Sequence, residues 1–132
     1  MNTLSNSVFE AFNTGSLRLP AASRAFTEIP WSRHPSFAGV ELKHIVTAGD
    51  TGGQFSYHLV RIAPDKCIGM HTHENQLETH EVIAGSGICM NGDVSIPYET
   101  GCISIMPAGV PHEVHAGDTG LLLFAKFIPA LC

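Results

Sequence analysis

Four side chains that can donate to a metal ion occur at short, defined spacings in the second half of the 132-residue chain. His71 and His73 are two residues apart, Glu78 follows five residues after His73, and His112 lies about thirty residues further on. Imidazole nitrogens and carboxylate oxygens are ligands that divalent first-row metals accept. The residue types and their spacing therefore indicate a metal site.

Strand geometry gives this spacing a physical logic. Residues i and i+2 of a strand point to the same face, so His71 and His73 both aim inward if they lie on one strand or at its entrance. Glu78 begins the next segment after a loop, and His112 follows the stiff turn Pro107-Ala108-Gly109-Val110-Pro111. We expect these segments to bring the four donors to one open site.

Other polar residues near these donors have more than one interpretation. His80 shares the face of Glu78 by parity, and it is either a hydrogen-bond partner or proton shuttle of the site, or a satisfied core histidine. Glu81 points the opposite way, towards solvent or a subunit contact. On an earlier strand, His58 and Tyr57 point to opposite faces, and periodicity does not decide which of them lines the pocket.

Composition limits the class of protein. A chain of this length with 44% hydrophobic and 14% charged residues fits one globular domain. Its 12 acidic residues against 7 basic ones give a formal charge of −5, which repels a phosphate backbone, so we expect no nucleic-acid partner. The N-terminus lacks a signal-peptide pattern, and the longest apolar run, 121–125, is too short to span a bilayer. We expect a cytoplasmic protein without a membrane partner.

The order of predicted elements indicates an all-β barrel with an N-terminal arm. Residues 1–27 form the arm, in which Ser7 to Phe12 make a helical turn capped by Asn6 or Ser7, and residues 28–132 form the barrel. Strand signals such as the alternation over Val40–Val46 recur to the end of the chain, and Asn91-Gly92 predicts a hairpin. Roughly eight to eleven short strands predict a sandwich or barrel.

Two features bear on assembly and on redox chemistry. The terminal strand 121–128 is apolar on both faces for five residues, which suits burial between two sheets or against a second subunit. With the arm as a possible dimer contact, we expect a homodimer. The four cysteines, Cys67, Cys89, Cys102 and Cys132, lack CxxC spacing. We expect them to be small buried residues, with a redox role as the alternative. Cys132 is expected to be the most exposed of the four.

The donor residues also fit two motifs of a known superfamily. By these motifs the chain resembles the cupins, which are small double-stranded β-helix barrels of jelly-roll type. The first cupin motif, G-x5-H-x-H-x3,4-E-x6-G, is matched from His71 to Gly85, although Asp65 stands at its leading glycine. Asp after proline can adopt the same turn. Glu81 occupies a position where many members have tyrosine.

The second cupin motif, G-x5-P-x-G-x2-H-x3-N, is matched from Gly101 to His112. Its final asparagine is Ala116 here, and Cys102 stands where an aspartate is frequent. The resemblance implies that His71, His73, Glu78 and His112 hold one divalent transition metal, which can be Fe, Mn, Ni, Zn or Cu.

The resemblance implies a metal-dependent enzyme that acts on a small oxygen-rich molecule by dioxygenase, isomerase or lyase chemistry. For proton transfer His80 is the candidate catalytic base, and the strand cations Lys43, Arg61 and Lys126 either bind an anionic substrate or are solvated. The alternative is a non-catalytic cupin that senses or binds a small molecule or sugar. The substrate and the reaction are left open by the sequence.

Overall fold

The computed structural model describes residues 4–132. The described chain contains two helices and ten strands, with a 3-10 turn at Phe26–Glu28. These elements are α1 (Ser7–Asn13), β1 (Ser16–Leu19), β2 (Ala22–Ala25), β3 (Ser32–Arg33), β4 (Val40–Val46), α2 (Ala48–Thr51), β5 (Ser56–Ile62), β6 (Cys67–His71), β7 (Leu77–Asn91), β8 (Val94–Glu99), β9 (Ile103–Met106) and β10 (His112–Ile128). The expected β-rich organisation is confirmed.

Strands β3 to β10 form one antiparallel sheet in the order β3-β4-β5-β10-β7-β8, while β1 and β2 pair separately. The two longest strands, β7 and β10, pair with each other from Leu77 opposite Ile128 to Asn91 opposite His112. On its other side β10 pairs with β6 and then with β5, and β7 pairs with β9 and then with β8. Because both strands change partner midway, the sheet closes on itself as a jelly-roll barrel.

The barrel interior is filled by apolar side chains that alternate with outward-facing residues. Ile62, Leu121 and Leu123 are fully buried there, and Tyr98 from β8 reaches the same core. The terminal strand therefore buries one of its apolar faces inside the barrel, as one of the two alternatives for it predicted.

The other face of the terminal strand is covered by the arm of the same chain. Phe9 of α1 packs against Phe124 with ring centroids 5.9 Å apart, and Phe12 makes an edge contact with the same ring at 5.0 Å. Phe26 belongs to the same outer cluster, which includes Leu122. The predicted helix is confirmed, since Asn6 Oδ1 accepts hydrogen bonds from the second and third amides of α1.

An ion pair fastens the arm to the barrel. Arg24 of β2 donates to both carboxylate oxygens of Asp50 in α2, at 3.1 and 2.7 Å, and Asp50 also accepts from the Thr47 amide at 2.9 Å. The hydrogen bond from Arg24 outweighs the effect of burial and lowers the pKa of Asp50 from 3.8 to about 2. The stabilisation is therefore present above pH 3.8 and is lost as the pH falls towards 2.

We expect Asp50→Asn to lower the free energy of unfolding by about 1 kcal/mol at pH 7, a figure reduced because the Arg24 side chain is 35% exposed. The asparagine keeps an acceptor for Thr47, so the substitution isolates the charge. Urea unfolding from pH 7 down to pH 2 measures the difference from wild type, which should shrink below pH 4. Asp118→Asn at an exposed position is the control, and equal losses in both variants would contradict the prediction.

Several local expectations are confirmed, and the one about the cysteines holds in part. The strand at Val40–Val46 is as predicted, and Asp65 has a φ of 62°, so it does replace glycine at that turn. Of the four free cysteines, Cys89 is buried as expected and Cys132 is exposed as expected, but Cys67 and Cys102 are only partly buried. Within residues 4–132, no helix is both long enough and apolar enough to cross a bilayer. The cytoplasmic location stays a prediction.

Candidate metal centre

Three strands and one loop bring the four predicted donors together at one end of the barrel. His71 ends β6 directly opposite His112 at the start of β10, Glu78 is the second residue of β7, and His73 lies in the loop between β6 and β7. One donor atom from each residue lies within 4.8 Å of the others. Gly109 donates its amide to the His73 carbonyl at 2.9 Å, so the loop before β10 is tied to the loop that carries His73.

Backbone carbonyls orient two of the imidazoles. His71 Nδ1 lies 2.7 Å from the Gly69 carbonyl, and His112 Nδ1 lies 3.0 Å from the Val110 carbonyl. Each Nδ1 therefore carries the hydrogen and donates it outward. The Nε2 atoms of both rings are left to face the interior, as is usual for histidines whose other nitrogen is fixed by a carbonyl.

Glu78 is the buried acceptor at the centre of the cluster. Its Oε1 lies 2.9 Å from His112 Nε2 and 3.5 Å from His73 Nε2, while its Oε2 lies 2.8 Å from His80 Nε2. Burial opposes the charge of this carboxylate, but His80 and His112 outweigh burial and hold the pKa of Glu78 well below its usual range. The carboxylate is thus ionised at neutral pH.

The three predicted histidine ligands differ in their protonation. Burial lowers the pKa of His71 and of His73, which keeps both imidazoles neutral and their lone pairs free at neutral pH. For His112, burial also acts to lower the pKa, but the hydrogen bonds with Glu78 and Val110 outweigh it and raise the pKa. A metal ion between His112 Nε2 and Glu78 Oε1 would take the place of the proton that these atoms share.

His80 is buried beside Glu78, as the parity argument predicts. Its Nδ1 lies 2.8 Å from the Tyr98 hydroxyl and its Nε2 lies 2.8 Å from Glu78 Oε2. Burial raises the pKa of Tyr98, so this hydroxyl keeps its hydrogen. In the neutral tautomer that satisfies both contacts, Tyr98 donates to Nδ1 and Nε2–H donates to Glu78. Both ring nitrogens of His80 are therefore engaged.

Tyr98 was not singled out by the sequence, although its signal was present. In β8, Ile96 and Tyr98 share one face by alternation, and a tyrosine on the inner face of a strand needs a polar partner for its hydroxyl. Tyr98 is 1% exposed and meets that need at His80. No sequence pattern indicated that a side chain of β8, which pairs with the second half of β7, contacts the histidine on the first half of β7.

The open question about Tyr57 and His58 is answered by β5. His58 is fully buried and faces the interior, where its ring lies 5.5 Å from that of Phe127. Tyr57 faces the outer layer and meets the Phe124 ring at 5.9 Å. The Phe127 ring also contacts His73 at 5.0 Å, so it lies between His58 and the metal-binding end of the barrel.

The predicted strand cations are engaged elsewhere. Lys43 donates to the Phe26 carbonyl at 2.9 Å and lies beneath the arm. Arg61 pairs with the Glu41 carboxylate at 2.8 Å, and Lys126 pairs with Glu81 at 3.0 Å on the outer face. Glu81 therefore points outward as predicted, and these three cations do not supply the positive charge of the site.

The donor set fits a divalent metal. Three imidazoles and one ionised carboxylate converge, two of the rings are held by carbonyls, and the second oxygen of Glu78 is held by His80. Four protein ligands leave positions open in a five- or six-coordinate ion. His73 has 23% of its side chain accessible, against 7% for Glu78 and 2% for His112, so the loop that carries His73 borders the open side.

Known proteins resemble the chain in sequence and in fold. It is 24% identical over 70 residues to the oxalate-binding protein of Thermotoga maritima, covering 52% of this chain and 58% of the relative, so it matches less than two thirds of that protein. Among solved structures, a predicted oxalate decarboxylase from the same organism has a TM-score of 0.68 and 22% identity, covering 78% of this chain and 95% of that one.

A second solved neighbour is much longer than this chain. Bacillus subtilis oxalate decarboxylase, studied for its Mn(II) centres, has a TM-score of 0.70 and 18% identity, covering 81% of this chain and 29% of that one. At such identities the likeness establishes the fold. The Cupin domain family matches residues 58–125, which is just over half of the chain and spans His71, His73, Glu78 and His112. The chain therefore belongs to the cupin domain family.

Proposed function

We propose that the chain binds one divalent transition metal through His71, His73, Glu78 and His112, and that this metal holds a small, oxygen-rich organic anion. The convergence of these four donors around a buried carboxylate is the observation that carries the proposal. The metal, when bound, supplies a Lewis acid for two neighbouring oxygens of the ligand. Mn(II) is our first choice among the expected metals, since a structural neighbour contains Mn(II) centres.

Charge supports an anionic ligand. A divalent ion with one carboxylate and three neutral imidazoles keeps a net charge of +1, whereas Lys43, Arg61 and Lys126 bind groups away from the centre. The metal is then the attraction for an anion at this end of the barrel. A molecule with two adjacent oxygens, such as oxalate or a 2-keto acid, matches two open coordination positions, and the names of two relatives mention oxalate.

We favour an enzyme of dioxygenase, isomerase or lyase type, with a non-catalytic binding protein as the second candidate. The second candidate is supported by the hydrogen bonds of His80, since a base whose ring nitrogens are both engaged has no lone pair free for substrate. It also agrees with the name of the oxalate-binding relative from Thermotoga maritima.

One experiment separates these functions. The protein is purified without oxygen, loaded with Mn(II), and mixed with oxalate, 2-keto acids, sugars or catechols, while melting temperature, O2 uptake and product formation are followed. A ligand at 100 times its Kd should add about 2.7 kcal/mol of stability. Stabilisation with consumption identifies an enzyme, and stabilisation without consumption identifies a binding protein. If the protein shows neither stabilisation nor consumption of a ligand with any of the expected metals, the proposal is contradicted.

We propose His80 as a residue that positions Glu78 through the hydrogen bond at Oε2. His80→Phe is expected to lower metal affinity by about 10- to 100-fold, the range found when an outer partner of a ligand is removed. Metal binding should also move to higher pH, because Glu78 loses the neighbour that lowers its pKa. Competition with a fluorescent chelator from pH 5 to pH 8 measures both effects.

Tyr98→Phe is the matched control for His80, since it removes only the O–H that fixes the histidine tautomer. Its loss of metal affinity should be smaller than that of His80→Phe. If His80→Phe loses turnover but keeps its metal affinity, His80 has the acid–base role instead. If this variant keeps both its metal affinity and its turnover, His80 neither positions Glu78 nor acts as an acid or base.

We further propose that the chain forms a homodimer through the outer face of β9. Ile103 and Ile105 are 67% and 55% exposed there, which leaves two large aliphatic side chains uncovered side by side. The double variant Ile103→Lys/Ile105→Lys should sediment as a monomer at micromolar concentration. The control Ile88→Lys, at an exposed position on the half of β7 that pairs with β8, should leave the sedimenting mass of the protein unchanged. A wild-type monomer would contradict the proposal.

A further inference from the structure

A second group of metal-binding side chains lies on the far side of the Phe127 ring. It consists of His44 on β4, His58 on β5 and Cys132 after β10, and one donor atom from each lies within 4.8 Å of the others. The two Nδ1 atoms are 2.7 Å apart. Phe127 separates this group from the four donors described above, because its ring contacts both His58 and His73.

The segment that carries the thiol is held against the barrel by backbone hydrogen bonds. The Cys132 carbonyl accepts from the Ala48 amide at 2.6 Å, and the Leu131 amide donates to Ser56 Oγ at 2.9 Å. The Ala130 amide donates to the Gly53 carbonyl at 3.1 Å. These three bonds join consecutive residues to α2, β5 and the loop between them, so the thiol is positioned beside the two imidazoles.

Hydrogen bonding around His58 permits both Nδ1 lone pairs to face a cation. Ser56 Oγ lies 2.7 Å from His58 Nε2 and has a second lone pair besides the one that Leu131 uses. His58 Nε2–H can therefore donate to Ser56, which leaves His58 Nδ1 as an acceptor. In the metal-free chain, one hydrogen lies between the two Nδ1 atoms, and burial holds the pKa of both His44 and His58 below its usual value.

We propose that His44, His58 and Cys132 form a second metal site, which binds Zn(II) through two neutral imidazoles and one thiolate. Zinc accepts this donor set at about 2.0–2.1 Å for nitrogen and about 2.3 Å for sulfur. Tetrahedral geometry with these bond lengths places two nitrogens about 3.3 Å apart, so the imidazoles must separate by roughly half an ångström.

The protons of this binding step balance. The hydrogen between the imidazoles moves to Nε2 of His44, and the Cys132 thiol releases its proton to solvent as the zinc–sulfur bond forms. The ion then carries a net charge of +1 with the thiolate. Because Cys132 is exposed and His44 is only partly buried, the fourth position opens to water.

Cobalt substitution tests this site without interference from the first one. Sulfur is absent from the set His71, His73, Glu78 and His112, so a thiolate-to-cobalt charge-transfer band in the near ultraviolet reports only on Cys132. Reduced wild-type protein titrated with Co(II) should develop the band, and Zn(II) should remove it. A band that persists in Glu78→Gln shows that the second site is independent of the first.

Cys132→Ser and His44→Gln are the variants that test the ligands, with Cys67→Ser as the matched thiol control. We expect both ligand variants to lower Zn(II) affinity at this site by at least about 100-fold and Cys132→Ser to abolish the band. The Cys67 variant should match wild type. Absence of the band in reduced wild type, or its survival in Cys132→Ser, would overturn the proposal whatever the first site binds.

Discussion

Glu78→Gln is expected to reduce affinity for a divalent metal by at least about 100-fold, because it replaces the only anionic member of the four-donor set by a neutral amide. Glutamine has nearly the same shape and keeps one oxygen that can accept from His112 or His80, so the fold should persist. The carboxylate is also the point at which the donors meet, since Oε1 lies near both His73 and His112. Metal content by mass spectrometry and competition with a chelator give the affinity.

Glu81→Gln is the matched control for this substitution. It makes the same chemical change three residues further along β7, on the outer face, where the carboxylate pairs with Lys126. We expect wild-type metal affinity in this variant. Equal affinities in the two variants would show that the inward carboxylate is not a ligand, and circular dichroism of both would exclude unfolding as the cause of any loss.

Gly85→Ala is expected to lower the free energy of unfolding by about 2–5 kcal/mol. Gly85 has a φ of 88°, a conformation that costs an L-residue about 1–2 kcal/mol. A Cβ at this position would also press against the Gly120 carbonyl of β10, where the pairing of the two longest strands shifts register. Forced overpacking adds about 1–3 kcal/mol. Urea unfolding followed by fluorescence of the single tryptophan measures the loss.

Gly101→Ala separates the two contributions at Gly85. Gly101 has a φ of 96°, but an added Cβ meets no atom within 4 Å there. Its loss should therefore be limited to the backbone term of about 1–2 kcal/mol. Equal losses at the two positions would show that β10 moves away from Gly85 without cost.

The convergence of the four donors was predictable because it depends on local rules. Alternation places Glu78 and His80 on the inner face of β7, and the stiff turn before His112 directs that imidazole to the end of the barrel. The turn at Asp65 was equally local, and its positive φ agrees with the substitution of Asp for Gly.

Strand length was not predictable from the same rules. Glycines such as Gly85 and Gly87 interrupt the pattern of β7, and Gly117 and Gly120 interrupt that of β10, so each long strand reads as two short ones in the sequence. In the structure the two strands pass each other at these positions with a shift in register and continue. Glycine here permits close approach of two backbones rather than a turn.

Contacts between distant residues were the other part beyond reach of the sequence. The partnership of His80 with Tyr98 depends on the pairing of β8 with the second half of β7, and the placement of Cys132 beside His44 depends on backbone bonds of the chain after β10. Periodicity describes one strand at a time, so neither contact has a signal of its own.

The position of β10 along the chain has a consequence for biosynthesis. This strand pairs with β5, β6 and β7, yet it leaves the ribosome after all of them. Until it arrives, the facing edges of β5 and β7 have no neighbour between them, and such unpaired edges are where nascent β proteins are open to aggregation. The imidazole of His112 arrives with the same strand, so a nascent chain assembles its four-donor set only once the barrel itself can close.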